Sequence, residues 1–136
     1  MKRFLLLLML VPLLVGCGVP GMTASCESGL PDFAKTLDPL AREWDDANAL
    51  ANSTPRAALA VQIGNLQSVR RRVQDVTAPE CGAPMKQHLI GAMDETIQGY
   101  IAFLGQKSDS VVQGHFTAAS TEMKSYQESI AAVTSK

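Results

Sequence analysis

Two histidines, three cysteines and a run of three arginines are the residues of this chain whose types and spacing could do chemistry. His88 and His115 are the side chains a metal or haem site would draw on. A di-iron bundle needs paired Glu-x-x-His motifs with further glutamates facing inward, and the sequence contains no Glu-x-x-His. Asp94 and Glu95 follow His88 by six and seven residues, with no second set read beside them, so both histidines are expected to be partly exposed structural groups. No metal or cofactor is expected. Serines and threonines are plentiful, yet they fit helix caps and polar faces, and no Gly-x-Ser-x-Gly elbow occurs. With no acid, base and nucleophile set, the expectation is a protein that is not an enzyme.

The amino terminus carries a different chemistry. Lys2 and Arg3 precede an uncharged run from Phe4 to Val15. That run suits the apolar region of a signal peptide and is shorter than the roughly 20 residues a membrane-spanning helix requires. It ends in Leu14-Val15-Gly16-Cys17, which resembles the lipobox of bacterial lipoproteins. The resemblance implies cleavage before Cys17, a thioether diacylglycerol and further acyl chains such as palmitate on that cysteine, and an extracytoplasmic protein held on the cell membrane or the outer membrane. Two or three acyl chains, at about 0.8 kcal/mol per buried methylene, anchor far more firmly than one. The segments Trp44-Asp45-Asp46-Ala47, Ser53-Thr54-Pro55-Arg56 and Pro79-Glu80-Cys81 also resemble stretches of small, uncharacterised helical lipoproteins, which implies no activity.

Removing residues 1–16 from 136 leaves 120, enough for one domain with a core. Loss of Lys2 and Arg3 takes the formal charge from −1 to about −3. That balance argues against nucleic acid as a partner. Two cysteines then remain besides the lipidated one. Outside the cytoplasm Cys26 and Cys81 are expected to pair rather than stay free. Neither lies in a CxxC motif, and their bond would close a loop worth roughly 4 kcal/mol in the chain-entropy model.

Residues 17–29, with Gly18, Pro20 and Gly21, read as lipidated cysteine and flexible tether, and residues 30–136 as the folded domain. Four stretches of that domain have helical spacing. Phe33, Leu37, Leu40, Trp44, Ala47 and Ala51 mark the first, with Pro39 leaving open whether it kinks there or starts there. Ser53-Thr54-Pro55 reads as an N-cap for the second, which carries Leu59, Ile63, Leu66, Val69, Val73 and Val76. The third begins near Pro84, its stripe Ile90, Met93, Ile97, Tyr100 and Leu104 widened by Leu89, Ile101 and Phe103. Gly91, Gly99 and Gly105 lie in or near it and suggest close helix packing. Val112, Phe116, Ala119, Met123, Tyr126, Ile130 and Val133 mark the fourth. No strand alternation is sustained.

Short connections between four helices predict an all-α, up-down-up-down four-helix bundle. That topology brings Cys26 and Cys81 to one end, the end from which the tether leaves towards the membrane. Arg70, Arg71 and Arg72 then lie roughly 10 Å from that end. Their plain role is to complement a helix C-terminus, and their functional one is contact with anionic headgroups. Trp44 falls on the apolar seam, while Asp45 and Asp46 sit late in their helix and call for a basic partner such as one of these arginines. The expected function is a non-enzymatic interaction or structural module of the cell envelope, with an envelope protein as partner. The alternative is a small-ligand or cofactor-binding bundle with its pocket between the third and fourth helices. Metabolic labelling with a fatty acid is expected to mark the wild type and to be lost in Cys17→Ser; label retained by that variant would remove the anchor.

Overall fold

A computed structural model describes the backbone of residues 22–134 and the side chains of residues 28–133. The expected signal peptide, Cys17 and the first part of the expected tether lie outside these residues. Among the described residues there are four α-helices: α1 (Met22–Ser53), α2 (Leu59–Asp75), α3 (Ala83–Leu104) and α4 (Asp109–Thr134). Two 3-10 turns, Arg56–Ala58 and Glu80–Gly82, lead into α2 and α3. No strand occurs among the described residues. Each helix packs antiparallel on the next, and α4 closes the bundle lightly against α1.

The expected seams of α1 and α2 are the core. Leu37, Leu66, Val73, Leu89 and Met93 have no exposed surface, and Trp44 retains 2%. Burying side chains of this size contributes about 1.5–3 kcal/mol each. The stripe of α4 is as expected in position, yet Phe116, Met123, Ile130 and Val133 are only half-buried, because little of α1 covers them.

Helix α1 corrects one expectation and answers a question that the sequence leaves open. Met22–Gly29 belong to the helix, so the tether does not extend to residue 29. The helix also runs unbroken through Pro31 and Pro39. Both prolines are exposed. Asp38 and Arg42 form an ion pair of 2.6 Å across the second proline.

The Ser53-Thr54 pair acts in the opposite sense from that expected. Ser53 Oγ and Thr54 Oγ1 both donate to the carbonyl of Leu50, at 3.0 and 2.7 Å, closing the end of α1. Neither caps α2, whose entry through Pro55 and Ala58 has no side-chain cap. The end of α3 also differs. Ile101, Phe103 and Leu104, expected on the apolar stripe, are 36–44% exposed, at the end of α3 where the chain reverses. The Lys107 N–H bonds to the Ala102 carbonyl at 2.9 Å and the Gln106 N–H to Phe103 at 3.1 Å. With Gln106 at φ 54°, this is a Schellman ending with glutamine in the left-handed position that glycine favours.

Close packing at glycine, as anticipated, joins α3 to α4. A Cβ at Gly99 would stand 2.9 Å from the Phe116 ring, which lies edge-on to Tyr100 with centroids 5.3 Å apart. At Gly91 it would meet the Glu122 side chain at 3.3 Å. The Phe116 ring is rigid and packed edge-on against Tyr100, whereas the Glu122 side chain is flexible and half-exposed. Gly99→Ala is therefore expected to cost about 1–3 kcal/mol. Gly91→Ala is expected to be neutral or to stabilise by up to about 1 kcal/mol through helix propensity. Urea denaturation of the two variants checks this, and equal losses would contradict it.

Candidate functional site

The light contact between α1 and α4 leaves a seam along the bundle, with α3 as its floor. One part of it is a cleft of about 500 Å³ bounded by Trp44, Asp45, Asn48 and Asn52 of α1, Thr96 and Tyr100 of α3, and Phe116, Ser120 and Met123 of α4. Helical spacing explains the α1 wall. Residues 44, 45, 48 and 52 fall on one face, adjoining the apolar seam, so an apolar body and polar edges meet there. Tyr100 Oη donates to Asn48 Oδ1 at 2.9 Å and ties the floor to the α1 wall. Thr96, buried in the floor, satisfies its hydroxyl on the Ala92 carbonyl at 2.8 Å.

Further along the seam, a second hollow of about 600 Å³ lies between Pro31, Ala34, Asp38 and Ala41 of α1 and Tyr126, Ile130 and Val133 of α4. Burial pushes the Tyr126 hydroxyl above its ordinary range, and the carboxylates of Asp38 and Asp45 add to the effect. Lys35 also lines this hollow and Asp38 is paired with Arg42, so charges of both signs stand beside Tyr126 with an apolar base beneath. Asp45 is itself raised above the usual carboxylate range, first by loss of solvent and then by its neighbour Asp46.

The arginine run is largely used within the bundle. Arg70 makes a two-pronged ion pair with Asp94 of α3, Nε–Oδ1 2.9 Å and Nη2–Oδ2 2.8 Å, and also bonds to Gln74. Arg72 pairs with Glu43 of α1. Of the three, Arg71 alone has no partner among the described residues. Asp45 and Asp46 receive none of the arginines, contrary to expectation, because Glu43 stands one turn nearer the bundle end and intercepts Arg72.

Both histidines bridge α3 and α4. His88 Nδ1 lies 2.7 Å from Glu122 Oε2, and His115 Nδ1 lies 2.8 Å from Glu95 Oε2. The pairs mirror one another, each helix giving one histidine and, seven residues later, one glutamate. A repeated His-x6-Glu spacing in the sequence was the signal for this, and reading His88 alone misses it. All four side chains are about a third to two-fifths exposed, so each pair orients the helices more than it stabilises them, at most about 1 kcal/mol. Among the described residues no group of three or more metal-ligating side chains converges.

Cys81 is disulfide-bonded. The expected partner, Cys26, has its side chain outside the described residues. The neighbouring backbone is well placed for it: a Cβ at Gly82 would stand 2.8 Å from the Phe33 ring, so the Glu80–Gly82 turn lies against α1 two turns beyond position 26. Among the described residues no helix is long and apolar enough to cross a membrane. Comparison with protein-family models, curated proteins and solved structures finds no match for the chain.

Loss of solvent disfavours the ionised form of Asp45. Its cost is present at neutral pH and disappears once both folded and unfolded chains are protonated. Asp45→Asn is accordingly expected to raise the melting temperature at about pH 7 and to leave it unchanged at about pH 3. Calorimetry at the two pH values checks the sign.

Proposed function

We propose that the protein is a lipid-anchored, non-enzymatic binding module of the cell envelope, with the α1–α4 seam as its working face. The Leu14-Val15-Gly16-Cys17 lipobox supports the anchor, through diacylglycerol on Cys17. The observation that carries the binding role is the seam itself. Three sides of the bundle are closed by packing and ion pairs, while half-buried apolar groups of α4 line the fourth. A Cys26–Cys81 disulfide staples the start of α1 to the turn before α3, at the end next to the anchor. Arg71 is the arginine left to meet anionic headgroups there.

A second reading, that the occupant of the seam is a small molecule, is favoured by the size and lining of the cleft. About 500 Å³ falls within the roughly 300–1,000 Å³ of small-molecule sites. Its place differs from the expected one: the space lies between α1 and α4, because close packing at Gly91 and Gly99 shuts the α3–α4 interface.

Cross-linking in intact cells, with Cys17→Ser as the unanchored control, tests the module reading. It predicts one defined envelope protein captured by the wild type, with cross-links confined to α1 and α4 and lost in the control. Cross-links spread over all four helices would contradict the assignment of the face.

A further inference from the structure

Six large apolar side chains are exposed among the described residues: Leu50, Val61, Ile101, Phe103, Leu104 and Val111. All six lie within one turn of the same end of the bundle, in the last turns of α1 and α3 and the first turns of α2 and α4. At the opposite end, the α2–α3 connection that carries Cys81 exposes none. Exposed apolar side chains scattered singly need no explanation, whereas a gathering at one end marks a surface that is covered in use.

The cations follow the same division. Lys35, Arg42, Arg70, Arg72 and Lys124 each pair with a carboxylate, and Lys86 donates to the last carbonyls of α2. Arg56, Arg71 and Lys107 have side chains with no ion pair or hydrogen bond among the described residues, and Arg56 and Lys107 both stand at the apolar end. The Arg56 guanidinium lies over the Phe103 ring, 5.9 Å from its centroid. That contact holds the group in place while leaving its N–H donors unused. Asp109 is at this end too, but as the first residue of α4 it complements that helix's N-terminus. Beside Arg56 is a notch of about 360 Å³, with buried Leu59 and Val112 beneath and exposed Asn52 and Gln113 at its rim.

Aromatic rings and arginine around an apolar centre are what protein interfaces concentrate. A lipid surface needs no notch, and the membrane entered by the proposed Cys17 anchor lies at the other end of helices such as the 22-residue α3, about 33 Å long. We propose that this end of the bundle docks an acidic, apolar segment of another protein, Arg56 and Lys107 meeting its carboxylates and the notch taking one of its apolar side chains. The contact is separate from the α1–α4 seam and stands whether or not the seam is occupied.

A photo-cross-linking residue, p-benzoylphenylalanine, placed at Val111 of the full chain in its source cells tests this, with the same probe at Gln127 in the seam for comparison. The expected adduct at Val111 is one protein, joined through a segment in which Asp or Glu adjoins large apolar residues. The double variant Arg56→Glu, Lys107→Glu is expected to lower its yield at least about tenfold. Changing the partner's carboxylates to Lys is expected to restore it, and Lys124→Glu, on the body of α4, to leave it unchanged. Both reversed side chains are exposed, so circular dichroism of the double variant is expected to match the wild type. An adduct with lipid alone overturns the proposal in favour of a membrane. A captured segment without carboxylates, or a yield indifferent to the double variant, overturns the charge pairing on which it stands. No adduct at Val111 overturns it as well, whatever the probe at Gln127 captures from the seam.

Discussion

The ring of Phe116 occupies the space that a side chain at position 99 would need, and most of the architecture follows from that contact. With no Cβ at Gly99, α4 sits close against α3, and Tyr100 receives the edge of the same ring. Gly91 lets Glu122 lie across α3 towards His88, and the mirrored His115–Glu95 pair holds the other half of the interface in register. Helix α4 belongs to α3 before it belongs to the bundle. What it gives to α3 it withholds from α1, so its outer apolar residues stay half-buried and the seam remains open.

The other two interfaces are closed by a different means. Aliphatic side chains from α1, α2 and α3 fill the centre, and charged groups at its edges cross between helices: Arg70 to Asp94, Arg72 to Glu43, Lys86 to the last carbonyls of α2. The lysine adds to the C-terminal cap of α2, donating to the Val76 carbonyl at 2.6 Å. A bundle closed on three sides and open on the fourth has one face on which an occupant can be selected. On that face Asp38 is paired with Arg42 of its own helix, while Asp45 has no ion-pair partner among the described residues.

Much of the fold was legible in the sequence, and the misses have physical causes. Helical periodicity placed the core residues of α1, α2 and α4, because a stripe that must face a neighbour repeats at the helical period whatever the neighbour is. It failed for Ile101, Phe103 and Leu104, since periodicity says which residues share a face and not where the facing helix ends. Pro31 and Pro39 could not be resolved locally: proline strains a helix interior, and whether the helix continues through it depends on the packing around it, which is a tertiary property. Ser53 and Thr54 read equally well as caps in either direction, and Leu50 rather than α2 took their hydroxyls. Of the site, Trp44 and Asp45 stood out by type, but the cleft arises from an imbalance between two interfaces that no single stretch of sequence records.

The central claim is that α4 is held by α3 and leaves the α1–α4 seam open to solvent. Solvent paramagnetic relaxation of the methionine methyl groups, in protein labelled at those carbons, tests it most directly. Met123 lines the seam while Met85 and Met93 lie in the core at 3% and 0% exposure. Strong relaxation of Met123 with Met85 and Met93 protected is the predicted result. Equal protection of all three would mean that α1 covers α4 as fully as α3 does, and the open seam would be lost.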